Sequence, residues 1–392
     1  MTISLVIPSY NNLRHLENAY ASVRKHAPEV ELILIDDGST DQTWSWMQGL
    51  KNTDDNLVIL KSDVRKGHTF HYDWGISHAT NDIVGIMHAD MIMGPNYIEN
   101  MVKHIKPGVV VAGTRVEPPL HPPGNEKIIQ NFGMDFNDLN LSGFEEFCIE
   151  QQDVYKDQTT KGMFAPWIIY KEDFLKVGGH DQIYAPFPYE DSDIFERWIL
   201  NGYKLVQSRD AFVYHLTCRG HRWTEQVGTD DEYFKKASQR AAREYLRKWG
   251  SWIKNDQYQH PIIKPKYDIA FVVKNCPLNL LAVLEPMCDT IFLENKETIK
   301  EYVRNEQPHT HFNLSDRVKS YSEDKYNNIL VSFDAKELDQ EQFQIIQQLP
   351  DIIKESGRIG DLELGIFKFK IVSMKTYEKD MIQPLSKMIA ID

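Results

Sequence analysis

Cysteine is scarce in this chain of 392 residues, and its four copies form neither a CxxC pair nor a zinc-ligand spacing. Cys148, Cys218, Cys276 and Cys288 are therefore expected as reduced, mostly buried thiols, which points to the cytoplasm. The N-terminus, MTISLVIPSYNN, has no charged n-region and no long apolar h-region, so it does not read as a signal peptide. No run of about 18 apolar residues occurs anywhere, and no membrane span is expected. Positive charge is also in short supply: 44 Lys and Arg against 57 Asp and Glu leave a net charge of -13. That balance argues against a general binder of nucleic acid or anionic membrane, which would carry a basic face. It still allows a local basic pocket for a phosphate. Internal repeats, low-complexity tracts and a GxGxxG fingerprint are absent as well.

What is present is an ordinary globular composition, 42% hydrophobic and 26% charged, in a chain long enough for two domains. Over the first 115 residues apolar strands alternate with amphipathic helices. Strands are expected at 3–9, 30–40, 56–63, 82–88 and 108–114, and helices at 12–26, from about 41, at 72–79 and near 95–105. This alternation implies βαβ units and a mainly parallel sheet flanked by helices. Residues 116–127 are rich in proline and are expected to form a loop, and the acidic stretch 128–160 an irregular segment, either a variable flap or an acceptor-side insertion. Strand, helix, Gly-Gly turn, helix from Glu190 and a strand reaching His215 should follow, with an amphipathic helix over 231–250. The expected domains are 1–255, a linker over 256–266, and a smaller α/β domain over 267–392 built from YDIAFVV, CDTIFLE, NNILVSF and IFKFKIVS.

Chemistry-bearing residues gather at the expected carboxyl ends of strands, where open α/β sheets take up ligands. Ser9, Asp36, Asp37 and Asp90 all fall there. Asp36 and Asp37 could cap a turn, or accept hydrogen bonds from a base or ribose. His88 and Asp90 are one residue apart, so in extended geometry they would point to one site and could hold a hard cation. Glu190, Asp191 and Asp193 crowd the first turn of a helix. Arg197 lies one turn on from Asp193 and is its natural partner, which leaves Asp191 available as a base. His215 ends a strand and could pair with Asp90, while Arg219, His221 and Arg222 could bind a phosphate. Trp167 and Trp223 are either core or a stacking surface for sugars; Trp198 reads as core.

In this order, VIPSYNN (6–12), LIDDGSTD (34–41), HAD (88–90), VGGHD (177–181), YEDSDIFERW (189–198) and YH (214–215) resemble the inverting family-2 glycosyltransferases of GT-A fold. The resemblance covers roughly residues 1–250 and says nothing of the rest. It implies a nucleotide pocket lined by Pro8, Ser9, Tyr10, Asp36, Asp37, Lys66, His88 and Ala89. It further implies Asp90 and His215 as ligands of Mn²⁺ or Mg²⁺, Asp191 as catalytic base, and Trp167, Glu190, Arg219 and His221 on the substrate side. The implied donor is a UDP-, GDP- or dTDP-linked sugar and the acceptor a glycan or other hydroxyl. Two positions depart from the family pattern. His88 replaces the first acid of DxD, and Tyr72-Asp73 stands where relatives carry Arg-Asn, so Lys66 is the substitute for a phosphate contact. These departures keep alive an inactive nucleotide-sugar or glycan-binding module of the same fold. A nucleotidyltransferase would need an early glycine-rich loop with a lysine, and a retaining enzyme would not need Asp191.

Overall fold

The computed structural model describes residues 2–219, 222, 223, 228–321, 327–376 and 381–387. The chain divides into two compact units, Met1–Ala237 with Asn255–Ile262 and Gln383–Asp392, and Ser238–Lys254 with Ile263–Ile382. In the first, β1 (Ile3–Ser9), α1 (Leu13–His26), β2 (Glu31–Asp36), α2 (Thr43–Leu50), β3 (Leu57–Lys61), α3 (His68–His78) and β4 (Ile83–Ile86) alternate as expected. Then come β5 (Met91–Met93), α4 (Tyr97–Val102), β6 (Val109–Glu117), β7 (Lys127–Ile129), α5 (Leu141–Val154) and β8 (Thr159–Thr160). β9 (Trp167–Tyr170), α6 (Lys171–Val177), α7 (Glu190–Leu200) and β10 (Lys204–His215) follow, and α8 (Glu232–Trp249) falls mostly in the second unit.

The strands form one sheet in the order β3-β2-β1-β4-β9-β6-β10-β5, with β7 beside β6 and β8 beside β10. β1 to β4 are parallel, as are β6, β7 and β10; β5, β8 and β9 run against their neighbours. Both faces are covered, which is why the strands read as nearly continuous apolar runs. On β1, Ile3, Leu5 and Ile7 pack with Leu16, Ala19 and Val23 of α1. Val6, pointing the other way, packs with Tyr72 and Ile76 of α3 and Trp198 of α7. Each such fully buried aliphatic side chain contributes roughly 1.5–3 kcal/mol before the cost of ordering the chain. Because β2 and β3 leave β1 on one side and β4 returns on the other, a crevice opens beyond the carboxyl ends of β1 and β4.

Three local expectations change. Residues 128–160 are not irregular: α5 occupies Leu141–Val154, capped by Asn140, whose Oδ1 accepts the Gly143 N–H at 3.0 Å. Its acids face away from the apolar stripe, where Phe144 and Cys148, one turn apart, pack against Phe132, Phe212 and Tyr214. The third helix starts at His68 rather than at 72. β4 stops at Ile86, and Ala89 and Asp90 lie in a turn before β5, which pairs antiparallel with β10. All four cysteines are free thiols, with Cys148 and Cys288 buried.

The second unit carries β11 (Ile269–Lys274), α9 (Leu278–Leu284), β12 (Thr290–Leu293), α10 (Lys296–Glu306), α11 (Leu314–Arg317), β13 (Val318–Ser320) and β14 (Ile329–Asp334). α12 (Gln340–Gln347), α13 (Leu349–Ser356), β15 (Gly360–Leu364) and β16 (Phe367–Ile371) complete it. Its sheet runs β13-β12-β11-β14-β16-β15. Under it the buried carboxylate of Glu285 receives Arg247 Nη2 at 2.7 Å, Arg317 Nε at 2.5 Å and the Tyr302 hydroxyl at 2.9 Å. Burial works to raise the Glu285 pKa, but Arg317 and Arg247 outweigh it and hold it down at about 2. Among the described residues no helix is long and apolar enough to cross a membrane.

Candidate active site

The site is organised from the end of β2. Asp37 Oδ1 accepts the Lys66 N–H at 2.6 Å and its Oδ2 the Gly67 N–H at 2.9 Å, while His71 Nε2 lies 2.6 Å from Oδ1. This knot sets the start of α3 and explains why the helix begins early. Gly67 is required there: its φ is +87°, and a Cβ would lie 2.3 Å from Pro186 Cβ. The two aspartates do not act alike. Asp37 lines the crevice, whereas Asp36 turns inward, accepting the Ser39 N–H at 3.0 Å on Oδ1 and leaving a buried, unpartnered Oδ2.

The crevice encloses about 290 Å³ and is lined by Pro8, Ser9, Tyr10, Asp37, His88, Ala89, Asp90, Trp167, Glu190, Asp191, His215 and Arg219. Asp36 and Lys66 fall outside that lining. Lys66 is exposed, with its Nζ 4.3 Å from the centre of the Phe70 ring. Besides Arg219 and Arg222, the crevice is lined by Arg65, which sequence reasoning missed. Its guanidinium sits 4.1 Å from the Tyr10 ring centre and 4.5 Å from that of Tyr233, and its Nε is buried without a partner. Trp167 is only 1% exposed and meets Trp198 edge to face at 5.1 Å, so it is core wall more than open platform. His221 lies outside the described residues.

At one part of the crevice His88, Asp90 and His215 each offer a ligand atom, all within 4.8 Å of one another. The turn at residues 89–90, rather than an extended strand, brings His88 and Asp90 together. His215 Nε2 lies 3.6 Å from Asp90 Oδ1, and its Nδ1 lies 2.9 Å from Glu117 Oε1. Asp90 Oδ2 accepts the Arg219 N–H at 2.9 Å. Glu117 also receives Arg115 at 2.7 Å and Lys127 at 2.9 Å. Burial would raise its pKa, but Arg115, His215 and Lys127 hold it well below the usual carboxylate range. A carboxylate on Nδ1 leaves Nε2 as the free lone pair toward Asp90, the usual support of a metal-bound histidine. One carboxylate and two imidazoles suit a divalent ion such as Mn²⁺. The residues present fit the cation that the family resemblance implies.

The first turn of α7 supplies the acids. Asp193 is taken up by Arg197, Nε to Oδ2 at 2.6 Å, as expected; Arg197 also donates to the carbonyls of Val177 and Gly179. Glu190 pairs with His68, Nε2 to Oε1 at 2.7 Å, a contact between residues 122 positions apart that nothing local in the sequence announces. Burial opposes a charge on either partner, yet their attraction prevails: His68 is raised and Glu190 lowered. Asp191 accepts the Ser192 N–H at 2.6 Å on Oδ1. Burial, and then the charge of Glu190, pushes Asp191 up to about 6. Such a carboxylate is a far better proton acceptor near neutral pH than an ordinary one. The cleft thus combines an imidazole–carboxylate cation site with a carboxylate of raised pKa at the strand ends of a mainly parallel sheet.

That combination suits group transfer. Residues 4–176 match the family model for glycosyl transferase family 2. Over that stretch, less than half of the chain, the sequence is similar to glycosyl transferase family 2, and the sheet of the first unit is of GT-A type. A dolichol-phosphate mannosyltransferase of Pyrococcus furiosus is 29% identical over 114 residues, 29% of this chain and 32% of that one. An undecaprenyl-phosphate 4-deoxy-4-formamido-L-arabinose transferase of Proteus mirabilis is 33% identical over 118 residues, 29% of this chain and 36% of that one. The chain thus spans about a third of the length of these curated relatives. Among solved structures, the mannosyltransferase PcManGT from Pyrobaculum calidifontis, in complex with GDP-Man and Mn²⁺, matches with TM-score 0.43 and 16% identity over 62% of each chain. GalNAc-T7 with UDP, GalNAc and Mn²⁺ matches with TM-score 0.46 and 18% identity over 66% of this chain and 49% of that one.

Proposed function

We propose that residues 1–255 act as a divalent-metal-dependent, inverting glycosyltransferase, moving a sugar from a nucleotide diphosphate to an acceptor hydroxyl. The observation that carries this reading is one crevice lined both by His88, Asp90 and His215, within 4.8 Å of one another, and by Asp191, with its pKa raised to about 6. Asp90, His215 and His88 hold the cation, which when bound supplies a Lewis acid for the leaving diphosphate. Pro8, Ser9, Tyr10, Asp37 and Ala89 form the nucleotide wall, and Arg65 takes the phosphate contact that Lys66 is too exposed to make. His68 and Glu190 keep α7 placed so that Asp191 faces the crevice.

Asp191 removes the proton of the acceptor hydroxyl as its oxygen bonds to the anomeric carbon. The bond from that carbon to the diphosphate oxygen breaks on the opposite face, so configuration inverts and a nucleoside diphosphate leaves. The raised pKa also bears on the acceptor. Two relatives are named for transfer involving polyprenyl phosphates, but a phosphate acceptor is already ionised near neutral pH and gains little from a base. A carboxylate tuned to about 6 favours a hydroxyl acceptor.

The test is turnover of a panel of UDP-, GDP- and dTDP-sugars with and without Mn²⁺, on wild type, Asp90→Ala and Asp191→Ala. Metal-dependent turnover of a donor, lost in both variants while Asp191→Ala still binds that donor, supports the reading. Binding with no turnover under any metal, and no change in binding in Asp90→Ala, would favour the inactive binding module instead.

A further inference from the structure

Tyr72 lines the crevice, is only 3% exposed, and has no part in the reading above. α3 holds its ring among three imidazoles. The ring centre lies 5.4 Å from that of His68, 5.6 Å from that of His180 and, nearly parallel, 6.4 Å from that of His88. His88 belongs to the cation site, and His68 is the partner of Glu190, next to Asp191. The phenol therefore stands between the cation site and the base. A sugar whose diphosphate rests on the cation, and whose far face is open to an acceptor held at Asp191, has to lie along the same line.

The Tyr72 hydroxyl makes no hydrogen bond with another described residue. Burial first, and then the charges of Glu190, Asp90 and Asp191, push its pKa well up, so it stays protonated as a donor without an acceptor. A buried donor in that condition costs free energy until a ligand answers it. The charges nearby decide which ligand can. Three carboxylates act on the phenol, while the arginines among the described lining residues are engaged elsewhere. Arg65 lies over the Tyr10 and Tyr233 rings. Arg219 donates its side chain to the Met134 carbonyl and its backbone N–H to Asp90, and Arg222 pairs with Asp230 at 2.7 Å. The imidazole of His68 is matched by Glu190. A carboxylate on the sugar would thus meet like charge with no counter-ion.

We infer, given the sugar-transfer reading on which this rests, that Tyr72 selects the donor sugar. Its hydroxyl donates to a hydroxyl of the transferred sugar, and this part of the crevice takes an uncharged sugar and turns away a uronate.

The full chain with Mn²⁺ is titrated calorimetrically with UDP, UDP-glucose and UDP-glucuronate, and with the matching GDP-mannose and dTDP-glucose sets. In any set whose nucleoside diphosphate binds, the uronate should bind at least about tenfold more weakly than the uncharged sugar nucleotide. Tyr72→Phe should weaken the uncharged donor about two- to tenfold and leave the bare nucleoside diphosphate unchanged, which also shows that the variant is folded. A uronate that binds as tightly as its uncharged counterpart overturns the inference. So does a Tyr72→Phe effect that is nil, or equal on the donor and the bare diphosphate. Neither result touches the transferase reading, which falls, and the role of Tyr72 with it, if no nucleoside diphosphate binds in any set.

Discussion

His215 is held from behind by Glu117, with Nδ1 2.9 Å from Oε1, so its other nitrogen is presented toward Asp90. Replacing the carboxylate with an amide removes both the charge and the fixed tautomer. Glu117→Gln should weaken Mn²⁺ binding about 10- to 100-fold. Manganese titration followed by electron paramagnetic resonance reads this directly, and unchanged affinity would mean that His215 is not a ligand.

As the proposed base, Asp191 must be ionised to take a proton, so its pKa of about 6 sets the direction of the pH profile. kcat/KM should be flat above that value and fall about tenfold per unit below it. Asp191→Asn should lower kcat by about 10²- to 10⁴-fold and abolish this acid limb, with donor affinity kept. An acid limb that survives in Asp191→Asn would assign the base elsewhere.

Arg65 and Lys66 are adjacent, yet only Arg65 lines the crevice. Arg65→Ala should raise the donor dissociation constant about tenfold or more, since a charge-assisted contact to phosphate is lost. Lys66→Ala should stay within about twofold. Equal effects of the two substitutions would reverse the assignment.

In the second unit, Glu285→Gln leaves Arg247 and Arg317 without their shared buried counter-charge. A loss of about 3–5 kcal/mol is expected in urea unfolding. Because the folded pKa of Glu285 is depressed to about 2, its stabilisation is complete above the ordinary glutamate range and is lost as pH falls toward 2. Wild type should therefore lose stability over that acidic window more steeply than Glu285→Gln does.

Much of the first unit was legible because its signals are local. The alternation Ile3, Leu5, Ile7 against Val6 and the turn chemistry of Asp36-Asp37-Gly38 each sit within one strand and its exit. Asp90, His215 and Asp191 stand out as polar residues where apolar strands or a helix turn begin or end. What escaped depends on pairing at a distance. Glu117 reads as the close of a strand before a proline loop; only the parallel register that sets Tyr214 against Val116 carries it to His215. His68 reaches Glu190, and Arg65 reaches Tyr233, through the same kind of long-range closure. α5 was hidden for the opposite reason, since a narrow stripe of Phe144 and Cys148 among many acids looks like a solvated loop.

The carboxylate of Asp181, fully buried, accepts the N–H groups of Leu385 and Ser386, and Gln182 donates its own N–H to the Ser386 carbonyl. The first unit therefore cannot be finished in the order in which the ribosome delivers it. Two of the donors to Asp181 emerge some two hundred residues later, on the order of ten seconds or more at ordinary rates of synthesis. Throughout that interval a buried acid next to the Gly178-Gly179 turn waits for its closing strap, and a chain cut after residue 255 would wait for good.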